Sequence, residues 1–139
     1  EAWTKAIAAS DILWDERAAP LLANTTGSIE TTKIAGVVCH ECLPKGGAPA
    51  NGPVYLFAHG GAFIFGGGAF AKVGGINAAT SMGLRVVSVD YRMPPDHPFP
   101  AAPEDCVAVY KALIQTIDPN AWSSAAAQPA ATSPPPPPS

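Results

Sequence analysis

Charge is scarce in this chain of 139 residues: 14% of positions are Asp, Glu, Lys or Arg, and the net charge is −3. Neither nucleic acid nor an anionic membrane surface is drawn to such a balance, so both are excluded as expected partners. Long apolar runs are also missing. No stretch approaches the roughly 18 residues that cross a bilayer, and Glu1-Ala2-Trp3 has neither the basic nor the apolar block of a secretory leader. There is no initiator methionine, so the chain is expected to begin inside a longer reading frame, with the cytoplasm as default compartment.

Cysteine is limited to Cys39, Cys42 and Cys106, too few for a disulfide framework. Cys39-His40-Glu41-Cys42 has redox spacing, but it sits in the alternating text Ile34 to Cys42, which reads as a strand. Residues three apart on a strand point to opposite faces. The two sulfurs are therefore expected to share neither a bridge nor a metal, and no second Cys/His pair completes a zinc site.

What the chain does have is an alternation of elements. Residues 2–23 suit one or two helices, with Trp3, Ile7, Leu13, Trp14 and Leu21-Leu22 as a candidate apolar side. Ser28–Lys33 and Gly36–Leu43 read as a hairpin, and residues 44–52 as a loop. Pro53–Ala58 looks like a strand buried on both faces. A glycine-rich loop from His59 to Gly68 follows, then a helix over residues 69–82, weakened at Gly74-Gly75 and closed by Gly83. Leu84–Val89 is a second buried strand. The segment Asp90–Pro100 carries four prolines, and a helix runs from Ala101 to Ile117 with Val107, Tyr110, Leu113, Ile114 and Ile117 on one face. This order predicts an α/β fold with a mostly parallel sheet flanked by helices.

The sharpest chemical signal is Ala58-His59-Gly60-Gly61-Ala62-Phe63, directly after a strand. Small residues let a backbone approach a ligand with its N–H groups uncovered. In acyl transfer such groups stabilise the oxygen anion of the tetrahedral intermediate, and losing one costs about 2.7–4 kcal/mol of barrier. A P-loop is excluded because no Lys-Ser/Thr closes the turn, and the glycine spacing is not that of a dinucleotide fingerprint. A purely structural glycine turn remains as an alternative.

The second signal is Asp90-Tyr91-Arg92-Met93-Pro94-Pro95-Asp96-His97-Pro98-Phe99-Pro100-Ala101-Ala102, after the next strand. With the first, it resembles the D-Y-R-L-A-P-E-H-x-F-P-A-A and glycine-loop text of the hormone-sensitive-lipase-like carboxylesterases, over about Val54 to Leu113. The resemblance implies the N-terminal part of an α/β-hydrolase fold, incomplete here. It implies an oxyanion hole from the N–H groups of Gly61 and Ala62, with Gly60 shaping the turn. It also implies a loop brace in His59, a substrate-pocket border in Phe63, and a proline loop tied by Arg92 and Asp96. Ala62 stands where a third glycine is usual and would be strained at positive φ. Pro94 replaces the usual alanine.

No metal or cofactor is implied, and the expected partner is a small-molecule ester in the full-length parent. Triad residues follow the oxyanion loop in this family, in the order Ser, Asp or Glu, His. The chain is thus expected to hold no catalytic residue, and His40, His59 and His97 are not expected to act as base. No G-x-S-x-G occurs. The expected organisation is a helical, cap-like segment at 1–28, a partial core at 29–118, and a low-complexity Ala/Ser/Pro tail at 119–139. Family text is expected to stop near Asp118-Pro119. Reading the tail's codons one base out of phase permits V-F-G-S-S-A-A-G-G-N-L-A-A, close to the family's nucleophile region, so a frameshifted tail is the expectation. The competing class of function is a non-enzymatic truncated or pseudogene product, or a small α/β module whose proline tail binds a partner.

Overall fold

A computed structural model describes residues 1–117. The expectations for the tail lie outside the described residues. The elements run in the order α1 (Ala2–Ala23), β1 (Ser28–Ile34), β2 (Val37–Leu43), β3 (Val54–Ala58), α2 (Ala69–Met82), β4 (Arg85–Val89) and α3 (Ala101–Thr116).

The hairpin forms because Ala35 and Gly36 both take positive φ, 51° and 79°, the conformation that a two-residue turn between twisted strands requires. It sets Ile34 opposite Val37 and, further along, Thr31 opposite His40. The described strands form one four-stranded sheet in the order β1-β2-β4-β3. The sheet is mixed: β2 runs antiparallel to β1 and β4, and the parallel pairing is that of β3 with β4.

β4 lies inside the sheet, and Val86, Val87, Ser88 and Val89 are completely buried. Covering a valine of this kind is worth about 1.5–3 kcal/mol. β3, in contrast, is half-buried along its whole length. Its apolar text predicts burial on both faces, but among the described strands it has one neighbour and borders an edge.

Two cores form, one on each face of the sheet. Cys42, Ile76, Ala79 and Val86 make the core under α2. On the other face, Val37, Cys39, Val87, Val89, Val109 and Leu113 make the core under α3. Cys39 and Cys42 thus face opposite ways, as strand alternation requires. Burial pushes their thiols up to about 12 and about 11, so both stay protonated.

Gly74 and Gly75, which weaken a helix by propensity, are where α2 comes closest to the sheet. A Cβ at Gly74 would meet the Phe57 ring at 2.7 Å, and one at Gly75 would meet Cys42 Sγ and Ser88 Cβ at 2.8 Å. Gly83 ends the helix in the left-handed conformation.

Two helix faces differ from expectation. α3 buries Ala101, Ala102, Asp105, Val109 and Leu113, while Val107, Tyr110 and Ile114 are exposed. The Asp105 carboxylate is buried and bonded to Arg92, and Ala101, Ala102, Val109 and Leu113 lie on the same buried side of the helix. α1 is one continuous helix and buries only Ala18; Trp3, Leu13 and Leu21 are exposed. Its apolar contact is made against α2, where Trp14 packs edge-on to Phe70 at 4.8 Å.

Candidate active-site loop

Because β3 and β4 are parallel neighbours, the segments that leave their C-terminal ends emerge side by side. This register alone brings together the glycine loop and the proline loop, which are about thirty residues apart in sequence. The carboxyl ends of parallel strands are where α/β sheets place their ligand crevices.

His59 is the first residue of the glycine loop and is 1% exposed. Its Nδ1 lies 2.9 Å from the Gly60 carbonyl oxygen, so Nδ1 carries the proton and donates. The ring is stacked on Tyr91, with centroids 4.0 Å apart and planes 9° from parallel. The Tyr91 hydroxyl in turn donates to the His59 carbonyl at 2.6 Å. Burial lowers the His59 pKa, although its bond to Gly60 acts the other way, so the imidazole is neutral. Its Nε2 is buried without a partner among the described residues. Burial also pushes the Tyr91 hydroxyl up to about 12, which keeps it a donor.

At the tip of the loop the Gly60 and Gly61 carbonyls are used, but the N–H groups from Gly60 to Phe63 are not. Gly60 O is held by His59, and Gly61 O accepts from the N–H groups of Ile64 at 3.0 Å and Phe65 at 2.9 Å. The N–H groups of Gly60, Gly61, Ala62 and Phe63 have no acceptor among the described residues. Gly61, Ala62 and Phe63 are exposed. Gly61 takes a φ of 122°, and a Cβ there would overlap the Phe65 carbonyl. Ala62 and Phe63 follow at 55° and 60°, so two residues with side chains hold a left-handed backbone. That conformation costs about 1–2 kcal/mol per residue. Such strain collects at functional sites.

The proline loop supplies the frame. Arg92 Nη2 reaches Asp105 Oδ1 at 2.8 Å, and the Arg92 N–H reaches Oδ2 at 2.9 Å. Arg92 is thus tied to Asp105, at the start of α3, and the exposed Asp96 is not its partner. Arg92 thus ties the loop as expected, while among the described residues no hydrogen bond of Asp96 does so. His97 is exposed as well.

Asp90 makes the connection that the sequence text did not announce. Its Oδ2 accepts from Gly68 N at 3.0 Å and from His40 Nε2 at 2.9 Å, and Thr31 Oγ1 lies 2.9 Å from His40 Nδ1. Burial acts to raise the Asp90 pKa, but these donors outweigh it and hold the carboxyl below its usual range. Hairpin arithmetic gives the Thr31–His40 pairing once the turn at Ala35-Gly36 is fixed. The contact with Asp90 needs β2 beside β4, and that pairing is long-range. Beside Asp90, a cavity of about 330 Å³ opens between Gly66–Gly68 and the α1 residues Asp11, Trp14 and Asp15. Among the described residues no group of His, Cys, Asp and Glu is arranged to hold a metal ion.

Comparison with known proteins agrees with this geometry. The alpha/beta hydrolase fold family matches residues 55–131, beyond Asp118-Pro119, where family text was expected to stop. An acetyl-hydrolase of Streptomyces hygroscopicus is 33% identical over 81 residues, which cover 57% of this chain and 27% of that protein. The crystal structure of an esterase E25 superimposes with a TM-score of 0.73 at 34% identity, covering 82% of this chain and 35% of the other. An esterase of the bacterial hormone-sensitive lipase family gives a TM-score of 0.59 at 33% identity, covering 66% and 30%. The chain belongs to the alpha/beta hydrolase fold family. Within that family it is a hormone-sensitive-lipase-like carboxylesterase chain, and it spans about a third of the length of the relatives it matches.

Proposed function

We propose that this chain supplies the oxyanion-hole loop of a serine carboxylic-ester hydrolase and does not turn over esters by itself. The observation that carries this is the row of N–H groups from Gly60 to Phe63 without an acceptor among the described residues, on a turn exposed from Gly61 to Phe63 after a strand end. Gly61 and Ala62 N–H donate to the oxygen that becomes negative when an ester carbonyl turns tetrahedral. Gly60 shapes the turn, His59 fixes it through the Gly60 carbonyl, and Phe63, 56% exposed, borders the substrate.

The reacting groups of the family mechanism, a serine with its acid and base, are not among these residues. Among the described residues no serine hydroxyl contacts an imidazole; Ser88 Oγ, for example, donates to Ala71 O. In the full-length parent the substrate is a small-molecule ester, processed through an acyl-enzyme without metal or cofactor. We assign it to the cytoplasm, which cell fractionation checks; no helix among the described residues is long and apolar enough to cross a membrane.

The loop assignment is tested by titrating an isotopically labelled chain with a short alkylphosphonate anion. The amide resonances of Gly61 and Ala62 should shift and saturate together. Saturable shifts confined to other amides, or none at all, would overturn the assignment.

A further inference from the structure

Thr31, His40 and Asp90 form a continuous hydrogen-bonded chain across the middle of β2, from β1 on one side to the residue after β4 on the other. Thr31 Oγ1 to His40 Nδ1 is 2.9 Å, and His40 Nε2 to Asp90 Oδ2 is 2.9 Å. The proton positions follow from the chemistry of the acceptor. The carboxylate also receives the Gly68 N–H, so it accepts from both neighbours, and His40 Nε2 must carry hydrogen. In neutral imidazole, Nδ1 then has the lone pair, and the Thr31 hydroxyl donates to it. An alcohol is hydrogen-bonded to a basic nitrogen, and a carboxylate holds the ring from behind. This is the arrangement that activates an alcohol for acyl transfer.

Burial follows the same order. The His40 side chain is 3% exposed and that of Asp90 17%, whereas Thr31 is exposed on the outer strand of the hairpin. The base is shielded and the nucleophile is open. Three other hydroxyls donate to backbone carbonyls: Ser88 to Ala71, Tyr91 to His59 and Thr116 to Leu113. Thr31 instead places its hydroxyl 2.9 Å from an imidazole nitrogen.

We propose that Thr31 is an acyl-acceptor site for activated acyl donors, the class of aryl esters and thioesters, with His40 as general base and Asp90 as its positioning residue. Thr31 Oγ1 attacks the acyl carbonyl carbon and forms a new C–O bond, while its proton passes to His40 Nδ1. The bond from the acyl carbon to the leaving oxygen or sulfur breaks, and the leaving group departs with the electron pair. The proton on His40 is then lost to the leaving group or to water. One ester bond is exchanged for another, no oxidant or reductant is needed, and the product is an O-acyl threonine. The glycine loop has no part in this step, so the proposal stands apart from the oxyanion-hole assignment.

The probe is p-nitrophenyl acetate, applied to the 139-residue chain near neutral pH, followed by proteolysis and peptide mass mapping. Hydroxylamine separates an O-acetyl ester, which it removes, from acetyl-lysine at neighbours such as Lys33, which it leaves. The expected product is a hydroxylamine-labile acetyl on Thr31, formed about 100-fold faster than in the urea-unfolded chain, the scale of a general base. Thr31→Val should abolish it, Thr31→Ser should quicken it, and His40→Gln should slow it by about the same 100-fold. Acetylation confined to amines would overturn the proposal. So would Thr31 acetylation at equal rates in native and unfolded chain, or in His40→Gln that still melts cooperatively. Where His40→Gln does not fold, the native-to-unfolded ratio and Thr31→Ser decide.

Discussion

The two loops that leave the parallel strands are built from opposite materials. Residues 59–68 are rich in glycine, bond the carbonyls of His59, Gly60 and Gly61, and leave a row of N–H groups without acceptors among the described residues. Residues 90–100 are rich in proline and are fixed by side chains: Tyr91 on the His59 carbonyl, Arg92 on Asp105, Asp90 on the Gly68 N–H. Each of those bonds ends either on the glycine loop or on the helix that follows the proline loop. The glycine loop's own bonds are local turns, so the proline loop ties it to the rest of the fold.

The largest effect should come from the residue that gives the glycine loop its path. Gly61→Ala places a Cβ on the Phe65 carbonyl at a φ that only glycine takes easily, and should cost about 3 kcal/mol or force the loop into another shape. Urea denaturation with amide spectra of residues 60–65 reads both outcomes. Unchanged stability with unchanged amides would mean that the loop does not hold this conformation.

Acid should weaken both loops together. His59 is buried with a lowered pKa, so the unfolded chain takes up the proton first and stability falls as pH drops through about 6.5. Asp90 and Asp105 are shifted downward against the pull of burial, Asp90 by His40 and Gly68 and Asp105 by Arg92. Their contribution is complete above the unfolded carboxylate value of about 3.9 and is lost as pH falls through their lowered values. Melting temperature should therefore fall in two stages on acidification. Replacing His59 with Phe should remove the upper stage and leave the lower one.

Tyr91→Phe keeps the stacked ring and deletes one buried hydrogen bond, with an expected loss of about 1 kcal/mol. If the proline loop fastens the glycine loop as described, hydrogen exchange at residues 60–66 should quicken in this variant more than exchange in α2. The smallest effect carries the opposite sign. Ala62→Gly relieves left-handed strain at φ 55° and gives back part of the gain as backbone entropy, for a net stabilisation of about 0.5 kcal/mol.

The legible parts of this molecule are those fixed by local rules. The turn at Ala35-Gly36, the strand alternation that parts Cys39 from Cys42, and the two loop motifs could all be read from neighbours in sequence. The half-burial of β3, the α3 face and the partner of Arg92 could not. The first depends on which strands lie beside Val54–Ala58, the second on the burial of Asp105, and the third on a contact between a loop and the helix after it. His40–Asp90 was hidden for the same reason, since the pairing of β2 with β4 spans about fifty residues. The oxyanion assignment came from family text, and the N–H groups without acceptors among the described residues give it a physical basis that the text alone lacks.

The claim that this chain carries donors for an ester's oxygen without the groups that cleave it is tested most directly by a turnover assay. A p-nitrophenyl short-chain ester is incubated with the 139-residue chain, with and without a serine-directed phosphonate. Nitrophenol release should stop after stoichiometric acylation, with no sustained release in either sample. Sustained release over many equivalents, abolished by the phosphonate, would contradict the account.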